Sequence, residues 1–309
     1  MSGNILIVDD SPIDRKIIRS ILEKRLHDIA IFETDGKDTD TLLKLNDISV
    51  CILDIVMPGK NGFEILNEIK KDNTLANIPV IICTSLNESQ AIETALMLEA
   101  YDYFTKPLSE EAMKISLPLK VKNAIDLKQR SDVIIYLSYH DKLTGLYNRR
   151  YFEEELIQLN DPSYLPLSFV IGDVNGLKLA NDAYGHEVGD NLLIKLSNIL
   201  KEASRKNDII FRTGGDEFVM ILPNTTSTEA QHITETINKK CSNQPERPVK
   251  PSISLGHATK ERLDQEMNII YKLAEDRMYS NKLKESKNVK DSIILALRNT
   301  LKDLNHGLD

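Results

Sequence analysis

Two rhythms of apolar and polar positions divide the chain. Up to about residue 108, short unbroken apolar runs alternate with stretches whose apolar residues recur at helical spacing. ILIV (5–8), VCILDIV (50–56) and PVIICTS (79–85) are short and almost wholly apolar, so they predict strands buried on both faces. A fourth short run, YDYF (101–104), follows them, and Ile17 to Arg25 and Phe63 to Lys71 carry helical spacing in between. Strands alternating with helices predict an α/β domain on a parallel sheet. Its ligands collect at the carboxyl ends of the strands.

From Ser109 to His140 the pattern becomes helical and charged, and Pro118 predicts a kink or a helix restart. Leu127, Ile134 and Leu137 form one stripe, which suits either a short coiled-coil seam or a connector helix packed on a neighbouring domain. Beyond Asp141 the strand candidates are 167–174, 208–213, 218–222 and 252–259, with helices at about 185–206, 227–241 and 265–284. That order predicts an α+β domain on a mainly antiparallel sheet. The last stretch repeats Ile293/Ile294, Leu297, Leu301 and Leu304 as an amphipathic helix. The expected organisation is therefore a first domain over 1–118, a linker helix over 119–140, a second domain over 141–288 and a C-terminal helix over 289–309.

Composition narrows the partners. The 309 residues are 41% hydrophobic and 28% charged, with a net charge of −8, as in ordinary globular proteins. An acidic chain lacks the basic face of a nucleic-acid-binding domain, so no nucleic-acid partner is expected. Cys51, Cys83 and Cys241 have no metal-ligand spacing, and the first two lie in apolar runs, as buried thiols of a reducing compartment do. No apolar run reaches membrane-spanning length and no leader pattern precedes NILIVDD; the expected location is cytoplasmic, without a membrane partner.

The chemistry-bearing residues of the first domain collect at one sheet edge. Asp9 and Asp10 follow the first strand, Asp54 ends another, Thr84 follows the next, and Lys106 follows YDYF. Crowded carboxylates repel and suit a hard cation such as Mg²⁺, beside which Asp54 can act as nucleophile toward a phosphoryl group while Thr84 and Lys106 bind its oxygens. Taken singly, Asp10 before Ser11 and Pro12 also reads as a helix cap. Together with MPGKNG after Asp54, the five residues make residues 1 to about 125 resemble a response-regulator receiver domain, which implies a doubly wound α/β fold on a five-stranded parallel sheet. That resemblance implies Asp54 as phosphoacceptor and Asp9, Asp10 and the Val56 carbonyl as ligands of one Mg²⁺. It further implies Thr84, Lys106 and Tyr103 as the switch and a cognate histidine kinase as partner.

In the second domain, FRTGGDEFVMIL (211–222) reads either as a glycine-relieved hairpin or as a metal and phosphate site. Asp173, at the end of LSFVIGDV, faces Asp216 and Glu217 if the two strands are neighbours; opposed carboxylates again suit divalent metal. Gly214 and Gly215 let phosphate approach the backbone, with Lys178 and Lys282 as phosphate contacts. Asn181 and Asp190, each also readable as a cap or turn former, suit guanine's donor edge. Arg205 and Asp208 in RKND suit a phosphate- and base-holding fork, a spacing also common at solvated helix ends.

DKLTGLYNRRYF (141–152) and the intact GGDEF make residues 141 to about 288 resemble a GGDEF domain, a diguanylate cyclase of palm-like, nucleotidyl-cyclase-type fold. The resemblance implies Asp173, the Val174 carbonyl and Asp216 as ligands of up to two Mg²⁺, with Glu217 beside the attacking 3′-hydroxyl. It implies Lys178 as a catalytic phosphate contact and Arg205 and Asp208 as a product-inhibition site. GTP and cyclic di-GMP are the ligands it implies, in a homodimer with two facing half-sites. The family follows the lysine at 282 with a glycine and an arginine. Here KLKESKN has Glu285 and Ser286, so Lys284 or Lys287 substitutes or the contact is missing. A second expectation stays open: a catalytically inactive module that senses GTP or cyclic di-GMP under phosphorylation control.

Overall fold

A computed structural model describes residues 3–84, 89–106, 111–159, 161–245 and 249–284. The chain divides into two compact units, Met1–Ile135 and Tyr136–Asp309.

In the first unit, β1 (Gly3–Val8), α1 (Pro12–Glu23), β2 (Ile29–Thr34), α2 (Thr39–Leu45), β3 (Ile48–Asp54), α3 (Gly62–Lys71), β4 (Val80–Thr84), α4 (Ser89–Met97) and β5 (Asp102–Thr105) alternate, and α5 (Glu111–Tyr139) follows. The strands pair in parallel in the order β2-β1-β3-β4-β5. Side chains alternate across a strand, so unbroken apolar runs must feed two cores. Ile5, Ile7, Val50 and Ile52 pack with Ile18 and Leu22 of α1 and Leu117 and Val121 of α5. Leu6, Val8, Cys51 and Leu53 pack with Ile65, Leu66 and Ile69 of α3. The edge strand β2 is only partly buried, which is why no apolar run announced it.

Pro118 lies inside α5, and the helix is continuous through it, so the restart allowed for in the sequence does not occur. The proline removes one N–H donor. Leu117, Val121, Ala124 and Ile125 on the surrounding turns are all buried against the sheet, and this apolar face holds the helix together.

The second unit contains β6 (Tyr147–Asn148), α6 (Arg149–Gln158), β7 (Leu167–Val174), α7 (Leu177–Tyr184), α8 (His186–Ala203), β8 (Ile209–Arg212), β9 (Glu217–Leu222), α9 (Ser227–Ser242) and β10 (Ile253–Lys260). A final described helix, α10, covers 267–284. The sheet order is β10-β7-β9-β8-β6, antiparallel except for the parallel β6–β8 pair. All eight residues of β7 are buried. Its Val170 and Val174 face the core under α8 and α9, and Phe169 and Ile171 face the core under α6 and α10. Helices α6 and α7 and the two-residue β6 were not expected from the periodicity. The predicted C-terminal helix at 289–309 lies outside the described residues. Among the described residues, no helix is long and apolar enough to cross a membrane. Cys51, Cys83 and Cys241 are all buried and free.

Candidate functional site

At the carboxyl edge of the parallel sheet, Asp9, Asp10 and Asp54 offer oxygens that all lie within 4.8 Å of one another. Asp9 and Asp54 are buried and Asp10 is exposed. The ammonium of Lys106 donates to Asp54 Oδ2 at 2.8 Å and to Asp9 Oδ2 at 2.9 Å. Its third partner, Asp14 Oδ2, stands at 2.7 Å. Burial pushes the Asp9 carboxyl above its ordinary value, against the pull of Lys106. Burial pulls Lys106 down, but its bonds to Asp14, Asp54 and Asp9 leave it above the usual lysine range. Backbone donors orient the acids: Ser11 N–H on Asp9 Oδ1 at 2.8 Å and Val56 N–H on Asp54 Oδ1 at 3.2 Å. Thr84 ends β4 fully buried, and its carbonyl accepts the Lys106 N–H at 2.8 Å. Tyr103 is half-buried, with Lys120 5.9 Å over its ring.

Glycine is required at 62. A Cβ there would stand 2.7 Å from Ile55 Cα, beneath the segment that presents Asp54. A crowded all-oxygen set beside a lysine fits one Mg²⁺, which takes oxygen ligands. Asp14 was not singled out from the sequence. The signal was present, since the Ser11 cap and Pro12 place residue 14 in the first turn of α1.

In the second unit the hairpin reading holds as structure: β8 and β9 pair, and Thr213 N–H donates to Glu217 O across the turn at 3.1 Å. Asp173 stands opposite Glu217 in the β7–β9 register, and Val174 N–H donates to Asp216 O at 2.9 Å. Asp173 is buried, and burial raises its carboxyl; the charge of Asp216 raises it further, while Lys282 lowers it. Lys282 Nζ ion-pairs with Asp173 Oδ1 at 2.5 Å, so this lysine already has an acidic partner. A buried, raised carboxyl beside a second charged carboxylate is an arrangement that a cation relieves, here the Lys282 ammonium.

The remaining predicted residues fall on two local features. Asn181 lies on α7 and Asp190 in the first turns of α8, two helices that join at Gly185. There Asn181 packs on Gly189, with its Oδ1 buried and accepting no hydrogen bond. Asp190 and Lys178 are exposed, as is Gly215, and Gly214 is partly exposed. Asp208 accepts the Arg205 backbone N–H at 2.7 Å, and burial raises its carboxyl. The Arg205 guanidinium donates instead to Glu229 at 3.2 Å, so the two side chains hold different partners rather than forming one open fork.

A further clamp was not expected from the sequence. Arg212 donates to Asp141 Oδ1 at 3.0 Å and to Gly215 O at 2.7 Å, tying the GGDEF turn to the start of the predicted domain. Asp141 also receives both the N–H and the hydroxyl of Thr144. Residues 71 positions apart give no local signal of such a contact.

The first unit is thus a doubly wound parallel sheet with acids around a lysine at its carboxyl edge. The second is a mixed sheet whose acidic hairpin faces a buried strand-end carboxylate. Residues 5–117 match the response regulator receiver domain, and residues 138–288 match the family described as diguanylate cyclase, GGDEF domain. The chain thus carries a response regulator receiver domain followed by a GGDEF domain. The response regulator PleD of Caulobacter vibrioides is 26% identical over 255 residues, covering 79% of this chain and 55% of that protein. The probable diguanylate cyclase DgcT of Escherichia coli is 31% identical over 153 residues, covering 47% of this chain and 34% of that one. This chain therefore spans about half or less of the length of these relatives. The coiled coil and GGDEF domain of DgcB from Caulobacter crescentus, solved in complex with c-di-GMP, aligns with a TM-score of 0.51 at 19% identity. It covers 56% of this chain and 96% of that one, a likeness of fold.

Proposed function

We propose that this protein is a phosphorylation-activated diguanylate cyclase, condensing two GTP to cyclic di-GMP and two pyrophosphates across a homodimer. The observation that carries the reading is the buried Asp173, opposite Glu217 and beside the charge of Asp216, at a glycine turn clamped by Arg212. One Mg²⁺ on Asp9, Asp10, Asp54 and the Val56 carbonyl, and up to two on Asp173, the Val174 carbonyl and Asp216, would neutralise phosphate charge and acidify a hydroxyl. Asp54 accepts the phosphoryl group from a histidine kinase, Lys106 and Thr84 hold its oxygens, and Tyr103 follows Thr84 inward. In the second domain Asn181 and Asp190 accept from guanine. Lys178 grips phosphate, and Lys282 turns from Asp173 to do the same. Gly214 and Gly215 admit the triphosphate, and Glu217 stands by the 3′-hydroxyl. Arg205 and Asp208 hold product once Arg205 leaves Glu229.

Each domain holds one GTP and the product needs two, so two chains must face each other. Leu127, Ile134 and Leu137 are exposed on α5, which supports self-association along that helix. The domains proposed are a receiver over 1–118, a linker over 119–140 and a cyclase over 141–288, acting in the cytoplasm.

The test incubates the full chain with Mg²⁺ and GTP, with and without acetyl phosphate, and resolves products by chromatography. Cyclic di-GMP should form and rise with the phosphodonor, and Asp54→Asn should lose that rise. No cyclic di-GMP under either condition sinks the reading. It would promote the inactive sensor of GTP or cyclic di-GMP, which is favoured by Lys282 seated on Asp173 and by Glu285 and Ser286 in place of the family's glycine and arginine.

A further inference from the structure

An ammonium has three protons, and in Lys106 each meets a different carboxylate: Asp54, Asp9 and Asp14. Asp14 makes the shortest of the three contacts, at 2.7 Å. It comes from α1 rather than from a strand end, with its N–H on the Ser11 hydroxyl at 3.3 Å. It is not among the three acids whose oxygens cluster within 4.8 Å, so it touches the lysine and stands outside the cation set. Both partners are largely sheltered, with side-chain exposures of 16% for Lys106 and 26% for Asp14, so solvent screens the pair incompletely.

We infer that Asp14 is a positioning residue of the phosphoryl site. It tethers the Lys106 ammonium, and its charge sets the site's cation affinity against its retention of a phosphoryl group. The inference rests on Asp54 being the phosphoacceptor. Three carboxylates already surround a single ammonium here. To hold a phosphoryl oxygen, Lys106 must redirect one of its three protons, and Asp14 competes for it with a full negative charge. The same charge attracts a divalent cation and repels a dianionic phosphoryl group, so its two effects have opposite signs. A residue that merely supported the fold would move both in one direction.

Asp14→Asn keeps the shape and an acceptor oxygen while removing the charge. On the full chain, calorimetry would measure Mg²⁺ binding, then binding of beryllium fluoride, a phosphoryl mimic, at saturating Mg²⁺. Intact mass would follow decay of the form phosphorylated by acetyl phosphate. The substitution should weaken Mg²⁺ binding roughly three- to tenfold and tighten beryllium fluoride binding by a similar factor. The phosphorylated form should decay more slowly. Asp14→Glu, which restores the charge, should move both constants back toward wild type. Constants that stay unchanged, or that both weaken, overturn the inference, as does an Asp14→Glu chain that behaves like Asp14→Asn. Wild-type protein that neither gains phosphoryl mass nor binds beryllium fluoride overturns the phosphoacceptor reading itself. That outcome is told apart because it is read on the wild type alone.

Discussion

Gly189 offers a test of base recognition that leaves every proposed contact residue in place. It lies in the first turn of α8, where a Cβ would overlap Asn181 Oδ1 and stand 2.9 Å from Asn181 Cγ and 3.2 Å from Leu177 Cδ1. Because Cγ is crowded as well as the terminal oxygen, Gly189→Ala must swing the whole Asn181 side chain rather than rotate its amide. Alanine favours the helix by about 1 kcal/mol over glycine, whereas overpacking costs about 1–3 kcal/mol. The net loss is then between roughly zero and 2 kcal/mol, a fall in Tm of no more than about 8 °C for a unit of this size. Binding should suffer more. Asn181 Oδ1 is buried and accepts nothing, so it is free for a donor of the base. Leaving that donor unpaired costs about 1–3 kcal/mol, or roughly five- to 150-fold in affinity. Calorimetric titration with a GTP analogue uncleavable between the α- and β-phosphates, beside a thermal melt, separates the two effects. A variant that binds the analogue as tightly as wild type refutes Asn181 as a reader of guanine.

Glu229 and the cysteines give further checks. Backbone and hydroxyl bonds from Thr226, then Arg205, hold Glu229 at about 2, below its ordinary 4.5. Because the folded pKa is the lower one, the contribution is present above pH 4.5 and is lost as the pH falls toward 2. The Tm difference between wild type and Glu229→Gln should therefore shrink across that window, and a gap independent of pH would refute the assignment. The same substitution frees the Arg205 guanidinium, so cyclic di-GMP should bind the exposed RKND turn a few-fold more tightly by calorimetry; unchanged affinity counts against Arg205 as a product contact. Burial pushes the Cys51 thiol up to about 12 and Cys241 to about 11, and it raises Cys83 as well. Native protein should resist alkylation and take up label at all three only when denatured, as read by mass spectrometry; a rapidly labelled native thiol would contradict their burial.

Much of the fold was legible because of how burial works on strands. β1, β3, β4 and β7 are covered on both faces, so nearly every residue is apolar and the run stands out. The edge strand β2 is covered only in part and left no such run. β6 is two residues long, too short for any periodicity to register. Pro118 suggested a break in a stretch that continues as one helix, because the sheet beneath α5 rewards its apolar face regardless of the missing donor.

The sites divide along the same line. The sequence by itself determined which groups exist and which strand ends carry them: Asp9 and Asp54 follow apolar runs, Asp173 closes another, and GGDEF lies between two more. Strand geometry turns such spacing into location, since the last residue of a buried strand must emerge at the sheet edge. What only the tertiary structure decided is the pairing of charges. Lys106 is shared among Asp9, Asp54 and Asp14, Lys282 sits on Asp173, Arg205 reaches Glu229, and Arg212 joins Asp141 to the GGDEF turn. Apolar periodicity is a local property, set by one face of one element. An ion pair is settled by which elements the two cores bring together, and a long charged side chain reaches several partners with nothing in its own neighbourhood to name one.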